Sequence, residues 1–299
     1  MRRLLTTFLA TAVLAVATFT FAPAPTPAAA AAGCARDTAS DLRWVSWLHL
    51  VHAGYEPTLP ESARWLSDLV DGATYLEVSA SVGRIDGAAA QRVRALYRQL
   101  LQREPSAGEV NGWAPTLRNR GAAFVAVEFL ASQESFVRAG ATDAGWLDRT
   151  YQVALGRPAD RGGFDYWMGR LSAGSGRRTV AAALWATPAS IRRRTDTAYR
   201  LVLGRPGDPG GLDHWSATTA AYGDEGVTAA LAATGAAWAR AQQHYGAPAT
   251  ALPPLCPRVL RWMPPPGSIV RTLQPVASFG PNLATFTFDD GPNPTWTPQ

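Results

Sequence analysis

Between about residues 41 and 246, apolar residues recur at helical intervals and are interrupted by short polar punctuation. In the clearest segment, Trp146, Leu147, Tyr151, Ala154 and Leu155 form one stripe, which Gly156, Arg157 and Pro158 end. Asp160 can cap the next helix, whose Phe164, Trp167, Met168 and Leu171 form a second apolar face. Gly174 and Gly176 break that helix; Val180, Leu184 and Trp185 mark a third, and Thr187 with Pro188 opens a short fourth.

This pattern returns at a period near 50 residues, the range in which arrays of small units occur. Tyr151 to Trp167 and Tyr199 to Trp215 match position for position: Leu155-Gly156-Arg157-Pro158 against Leu203-Gly204-Arg205-Pro206, then Asp160 against Asp208. A third copy starts at Tyr97 and includes Leu100, Leu101, Arg103, Pro105 and Trp113; a fourth, more divergent, contains Pro57 and Trp65. The pattern divides the region into a divergent repeat over 33–90 and three closer copies over 91–142, 143–194 and 195–246. Each unit is too small to cover its own aromatic face, so neighbours are expected to stack.

The pattern changes at both ends. Residues 1–32 have a basic start, an apolar stretch from Leu4 to Phe21 and an Ala/Pro tail ending at Ala32, which reads as a secretory signal peptide. The chain is therefore expected to be secreted or held at the cell surface, with no stable membrane span after cleavage; an uncleaved anchor is the alternative. Residues 247–282 are a Pro-rich linker. In 283–299, the run Leu283 to Phe288 alternates in size and is rich in β-branched and aromatic residues, as a strand is. The expected fold class is mainly α, a helical repeat domain followed by the first strand of a second, truncated domain.

All 28 cationic residues are Arg, and the net charge is +5. That charge could favour an anionic cell-wall polymer, although a solvated surface explains it equally well. Basic and aromatic residues are not interleaved on a recognisable nucleic-acid-binding pattern, so nucleic acid is not an expected partner. The cluster Arg192 to Arg194 is expected near a helix end, where cations suit the helix dipole. Cys34 and Cys256 are the two cysteines; in an exported protein they could pair, fastening the mature amino terminus to the linker, or remain free or intermolecular.

Candidate chemistry concentrates near the carboxyl end. Asp289 and Asp290 are adjacent carboxylates after the strand-like run, followed by Gly291 and Pro292, and they point to opposite sides of the chain. One can bind a cation while the other handles a proton. Elsewhere, Asp160 and Asp208 could hold calcium, but too few oxygen ligands surround them and capping is the better reading. Trp113, Trp167 and Trp215 could stack on sugars or pack in the core, and His49 with His52 could share a metal or be structural; the structural reading is preferred for both sets.

Thr287-Phe288-Asp289-Asp290-Gly291-Pro292 and its strand resemble the first motif of the polysaccharide deacetylase family (the NodB homology domain, carbohydrate esterase family 4). The resemblance implies a β/α-barrel hydrolase that removes the acetyl group from N-acetylated sugars of a polysaccharide. It implies Asp289 as general base, Asp290 as ligand to a divalent metal, usually zinc, and an N-acetylated polymer of the cell-wall or chitin type as substrate. The family's His-Ser/Thr-x-x-His pair and late catalytic His lie downstream of this motif. No His follows His244, so the given sequence is expected to be an inactive fragment.

The repeats, by their Tyr, Gly-Arg, Asp, Gly and Trp pattern, resemble DUF4214, helical modules of bacterial exported and surface proteins. An adhesion or wall-polymer-binding role for the repeats is the alternative function.

Overall fold

Polar capping residues write most of the helix starts into the chain. The structure, a computed structural model, describes residues 37–248 together with Thr250 and Pro253. Asp37 caps α1 (Thr38–Ala53), Thr58 caps α2 (Leu59–Val70) and Thr74 caps α3 (Tyr75–Val82). Helix α4 (Asp86–Leu96) continues into a π-turn (Tyr97–Leu101). Ser106 caps α5 (Ala107–Ala131), Ser132 caps α6 (Gln133–Arg138) and Thr142 caps α7 (Asp143–Leu155).

Asp160 caps α8 (Arg161–Ser172), and α9 (Arg177–Trp185) starts at Gly176 without a side-chain cap. Thr187, Asp208 and Thr234 cap α10 (Pro188–Leu203), α11 (Pro209–Ala232) and α12 (Gly235–His244). At Thr58, Thr74 and Ser106 a Glu three residues on closes a capping box, so two backbone donors are satisfied at once. Among the described residues there is no strand.

The caps and aromatic residues fall into two halves related by a shift of 102 positions with no gap. Trp44, Thr58, Trp65, Tyr97, Ser106, Trp113, Gly121 and Ser132 of the first half correspond to Trp146, Asp160, Trp167, Tyr199, Asp208, Trp215, Gly223 and Thr234 of the second. The repeats are thus paired: two units make one half, and the half is what is duplicated.

The halves are not packed in series. One core draws on Val93, Leu100, Val125 and Leu130 of the second repeat and Trp146, Leu147, Val180 and Leu184 of the third. The other draws on Trp44, Leu48, Trp65 and Val78 of the first repeat and Val202, Val227, Leu231 and Trp238 of the fourth. An open stack would leave the first repeat touching only the second. Here the first repeat closes on the last, and the two share one core.

The two halves also meet at their kinks. Helices α5 and α11 are broken at Gly121 (φ 77°, ψ 164°) and Gly223 (φ 72°, ψ −175°), a backbone region that residues with a Cβ almost never enter. The freed amide of Ala122, after the first break, donates to Glu225 Oε1 beside the second at 2.7 Å.

Two sequence expectations need correction. The short fourth helix opened by Thr187 and Pro188 is the sixteen-residue α10, which runs on into the first helix of the next repeat. Helix α10 spans positions 194 and 195, as α4 spans 90 and 91, so a continuous helix joins adjacent repeats at both places. Arg192 to Arg194 lie within the first half of α10 rather than at its end. Arg192 pairs with Asp213, Arg193 donates to Val153 O at 2.5 Å, and Arg194 pairs with Asp224 and donates to Trp185 O at 3.1 Å. Tertiary partners, not the helix dipole, account for the cluster.

No helix among the described residues is long and apolar enough to cross a membrane. The signal-peptide segment 1–32, Cys34, Cys256, most of the linker and the whole of 283–299 with Asp289 and Asp290 lie outside the described residues.

Candidate binding clefts

Asp160 and Asp208 are caps. Asp160 Oδ1 accepts from the Gly163 amide at 2.8 Å and Oδ2 from Arg157 at 3.3 Å; Asp208 Oδ1 accepts from the Gly211 amide at 2.8 Å. These donors, the glycine amide first, hold both carboxyls below the usual range. Among the described residues, no group of three His, Cys, Asp or Glu side chains could hold a metal ion.

His49 and His52 are buried on α1 and serve different neighbours. Trp65 donates its indole N–H to His49 Nε2 at 3.0 Å, and His52 Nε2 meets Ser79 Oγ at 3.2 Å. Burial lowers both pKa values, that of His52 to about 3, where Arg92 and then His49 add to the effect. His49 holds the position that Tyr97, Tyr151 and Tyr199 hold in the other repeats, nine residues before the cap of the following helix. That register was the signal that could have assigned it to the repeat framework.

Of the repeat tryptophans, Trp65 is buried, whereas Trp113, Trp167 and Trp215 are half-buried at the edges of the two cores. Trp113 stands edge-on to Phe129 at 5.1 Å, and it also borders a cleft of about 690 Å³ lined from α5, the start of α7, the end of α8 and the start of α9. Glu128, Asp143, Arg177 and Arg178 line that cleft as well. Arg178 Nε donates to Glu128 Oε1 at 2.6 Å; Arg177 faces Asp143 at 3.7 Å and lies over the Phe136 ring at 3.9 Å.

The duplicated half shows why a cleft exists here. At the position corresponding to Arg177 stands Tyr75, which is buried, donates to Asp41 at 3.1 Å and packs edge-on to Trp44 at 4.8 Å and Trp238 at 5.3 Å. A rigid ring closes that copy. Arginine cannot fill the same apolar space with its charge desolvated, so this copy stays open and polar. The result combines an indole face with carboxylates and guanidinium groups, the set that takes polyhydroxylated ligands: acceptors and donors for hydroxyls beside an apolar plate. Sequence reasoning had singled out Trp113 but not Arg177 or Arg178, which become visible only once the two halves are laid in register.

A second cleft, about 460 Å³, lies where α12 meets the end of α10; Leu203, Arg205, Arg240 and His244 line it.

The profile of a family described as a domain of unknown function, DUF4214, matches residues 126–188, a segment from the second half of α5 through the first residue of α10. This segment contains Glu128, Asp143, Arg177 and Arg178 of the first cleft. No curated protein and no solved structure matches the chain.

Proposed function

We propose that this chain is the amino-terminal part of an exported, metal-dependent polysaccharide deacetylase, with the helical array as its non-catalytic portion. One observation carries the reading: Thr287 to Pro292, with two adjacent carboxylates after a strand-like run. When bound, a divalent metal such as zinc supplies polarisation of the acetamide carbonyl. Asp290 would hold it, and Asp289 would take a proton from the attacking water.

The donors within the given sequence fall short of the three protein ligands that a catalytic zinc commonly has. Asp290 is followed by no His, and His49 and His52 are committed to Trp65 and Ser79. The reading therefore requires histidines encoded after Gln299. The test is acetate release from an N-acetylated glycan by the product of the full reading frame. Activity should disappear with a chelator and in Asp289→Asn; activity that persists in the variant contradicts the base assignment.

A second reading, in which the array itself binds a cell-surface polysaccharide, is favoured by the open cleft at Trp113. Retention of the chain on insoluble wall glycan, lost in Trp113→Ala and in Arg178→Ala, supports it. Retention unchanged in both variants, or none at all, counts against it.

A further inference from the structure

The internal duplication provides each site with its own reference copy. In the first half, Arg103 is held by two acids. Its Nε and Nη2 donate to Glu134 at 2.6 and 2.8 Å, and its Nη1 donates to Glu109 at 2.9 Å. Arg138 adds a further bond to Glu134 Oε1 at 2.9 Å. Two guanidinium groups and two carboxylates thus close the corner between the π-turn, α5 and α6. These charge-assisted bonds hold the carboxyls of Glu109 and Glu134 below the usual range, Arg103 being the first cause for each.

In the second half both arginines are retained, as Arg205 and Arg240, and both acids are gone. Gly211 stands in place of Glu109 and Ala236 in place of Glu134. The corner that the first copy fills with carboxylates is here the 460 Å³ cleft. The one carboxylate paired with either arginine among the described residues is Asp208, 3.7 Å from Arg205 Nη1, and it also caps α11 through the Gly211 amide. Arg205 otherwise donates to Pro206 O at 3.3 Å and stacks over Tyr199 at 5.6 Å. Arg240 lies against the backbone of Gly204 and makes no ion pair or hydrogen bond to a described residue. His244 and Gln243 complete the polar wall.

Losing two acids while keeping both cations leaves a cleft lined by two guanidinium groups where the first half holds carboxylates. We propose that the Arg205–Arg240 cleft binds a carboxylate of an external ligand, a uronate or another acidic unit of a polymer, in the place that the Glu134 carboxylate occupies in the first half. The forked geometry favours a planar two-oxygen acceptor, because a guanidinium donates two parallel bonds to such a group. The cleft is open to solvent, with Arg205 and Ala236 exposed, a setting that suits one unit of a polymer rather than an enclosed small molecule. The inference concerns the array alone and holds whether or not the carboxyl-terminal motif is catalytic.

The experiment uses the full chain and titrates it calorimetrically with oligogalacturonate, with polyphosphate and with neutral chito-oligosaccharide. Oligogalacturonate should bind, with affinity falling as salt rises. Arg240→Gln should weaken it about tenfold or more, the scale of one lost bond to a charged group. Ala236→Glu restores the internal acid at an exposed position one turn before Arg240, a favourable i, i+4 order. It should abolish binding and raise the melting temperature, which separates occupation of the site from misfolding. Binding of oligogalacturonate unaltered by Ala236→Glu overturns the proposal. Binding of polyphosphate but not oligogalacturonate overturns the carboxylate assignment, and binding of the neutral oligosaccharide with equal affinity overturns the electrostatic basis.

Discussion

Trp44 and Trp146 stand 102 residues apart and make the same hydrogen bond, one in each of the two cores. Trp44 donates its indole N–H to Ala232 O at 3.0 Å, and Trp146 donates to Leu130 O at 2.7 Å. Both rings are fully buried, and both carbonyls lie in the last turn of the kinked helix of another repeat, α5 for Leu130 and α11 for Ala232. For Trp146 that repeat is the previous one in sequence. For Trp44 it is the last one in the chain, so this bond is the covalently unlinked equivalent of the other and closes the ring.

Replacing either indole by a ring without a donor should therefore cost a similar amount. Trp44→Phe and Trp146→Phe each leave a buried carbonyl unsatisfied, at about 1–3 kcal/mol. Urea denaturation of the two variants should show comparable losses. A much smaller loss for Trp44→Phe would mean that the closure contributes little.

The kinks give a second test. Gly121 has no atom near the position a Cβ would take, so Gly121→Ala meets no clash and changes only the backbone preference. The cost should be about 1–3 kcal/mol, the range for a residue held in a glycine-favoured region. Gly223→Ala should add a contact with Glu225, whose carboxylate is 3.2 Å from the added carbon and carries the bond to Ala122. Thermal melts should rank Gly223→Ala at or below Gly121→Ala.

The buried histidines predict the pH dependence. His52 is kept neutral in the folded chain because burial lowers its pKa to about 3 from an ordinary 6.5. A depressed histidine pKa means that the unfolded chain binds the proton first. The stability is present in full above pH 6.5 and is lost as pH falls from there towards 3. The slope per histidine approaches about 1.4 kcal/mol per pH unit. His49 is lowered in the same direction. Stability measured by denaturant between pH 7 and 5 should fall, and His52→Gln should flatten the curve by about one proton's slope; an unchanged slope would contradict the assignment.

Because each core is built from both halves, neither half should fold alone as a monomer. A chain of residues 37–140 retains the faces of Trp44 and Val125 but lacks Trp238 and Trp146, their partners in the two cores. It should be unfolded or should dimerise, with a second copy supplying the missing faces as the duplicated half does. Light scattering with circular dichroism distinguishes these outcomes from a folded monomer, which would refute the exchanged-core arrangement.

Much of the local structure was legible in the chain. The helical stripes, the caps at Asp160 and Thr187 and the stop at Gly156 follow from periodicity and from which side chains can satisfy free amides, all short-range matters. The repeat was legible too, through Tyr151 and Trp167 against Tyr199 and Trp215.

What the tertiary structure decided was everything set by which faces meet. An apolar face records that it must be covered but not by what, so the pairing of Trp44 with Ala232 across almost the whole described chain could not be read from spacing. The same holds for the clefts. Arg177 and Arg240 look like ordinary surface cations until packing brings the first to the place sealed by Tyr75 in the other half, and the second to the place filled there by Arg138 and Glu134. Periodicity is a property of neighbours along the chain; an unfilled site is a property of neighbours in space.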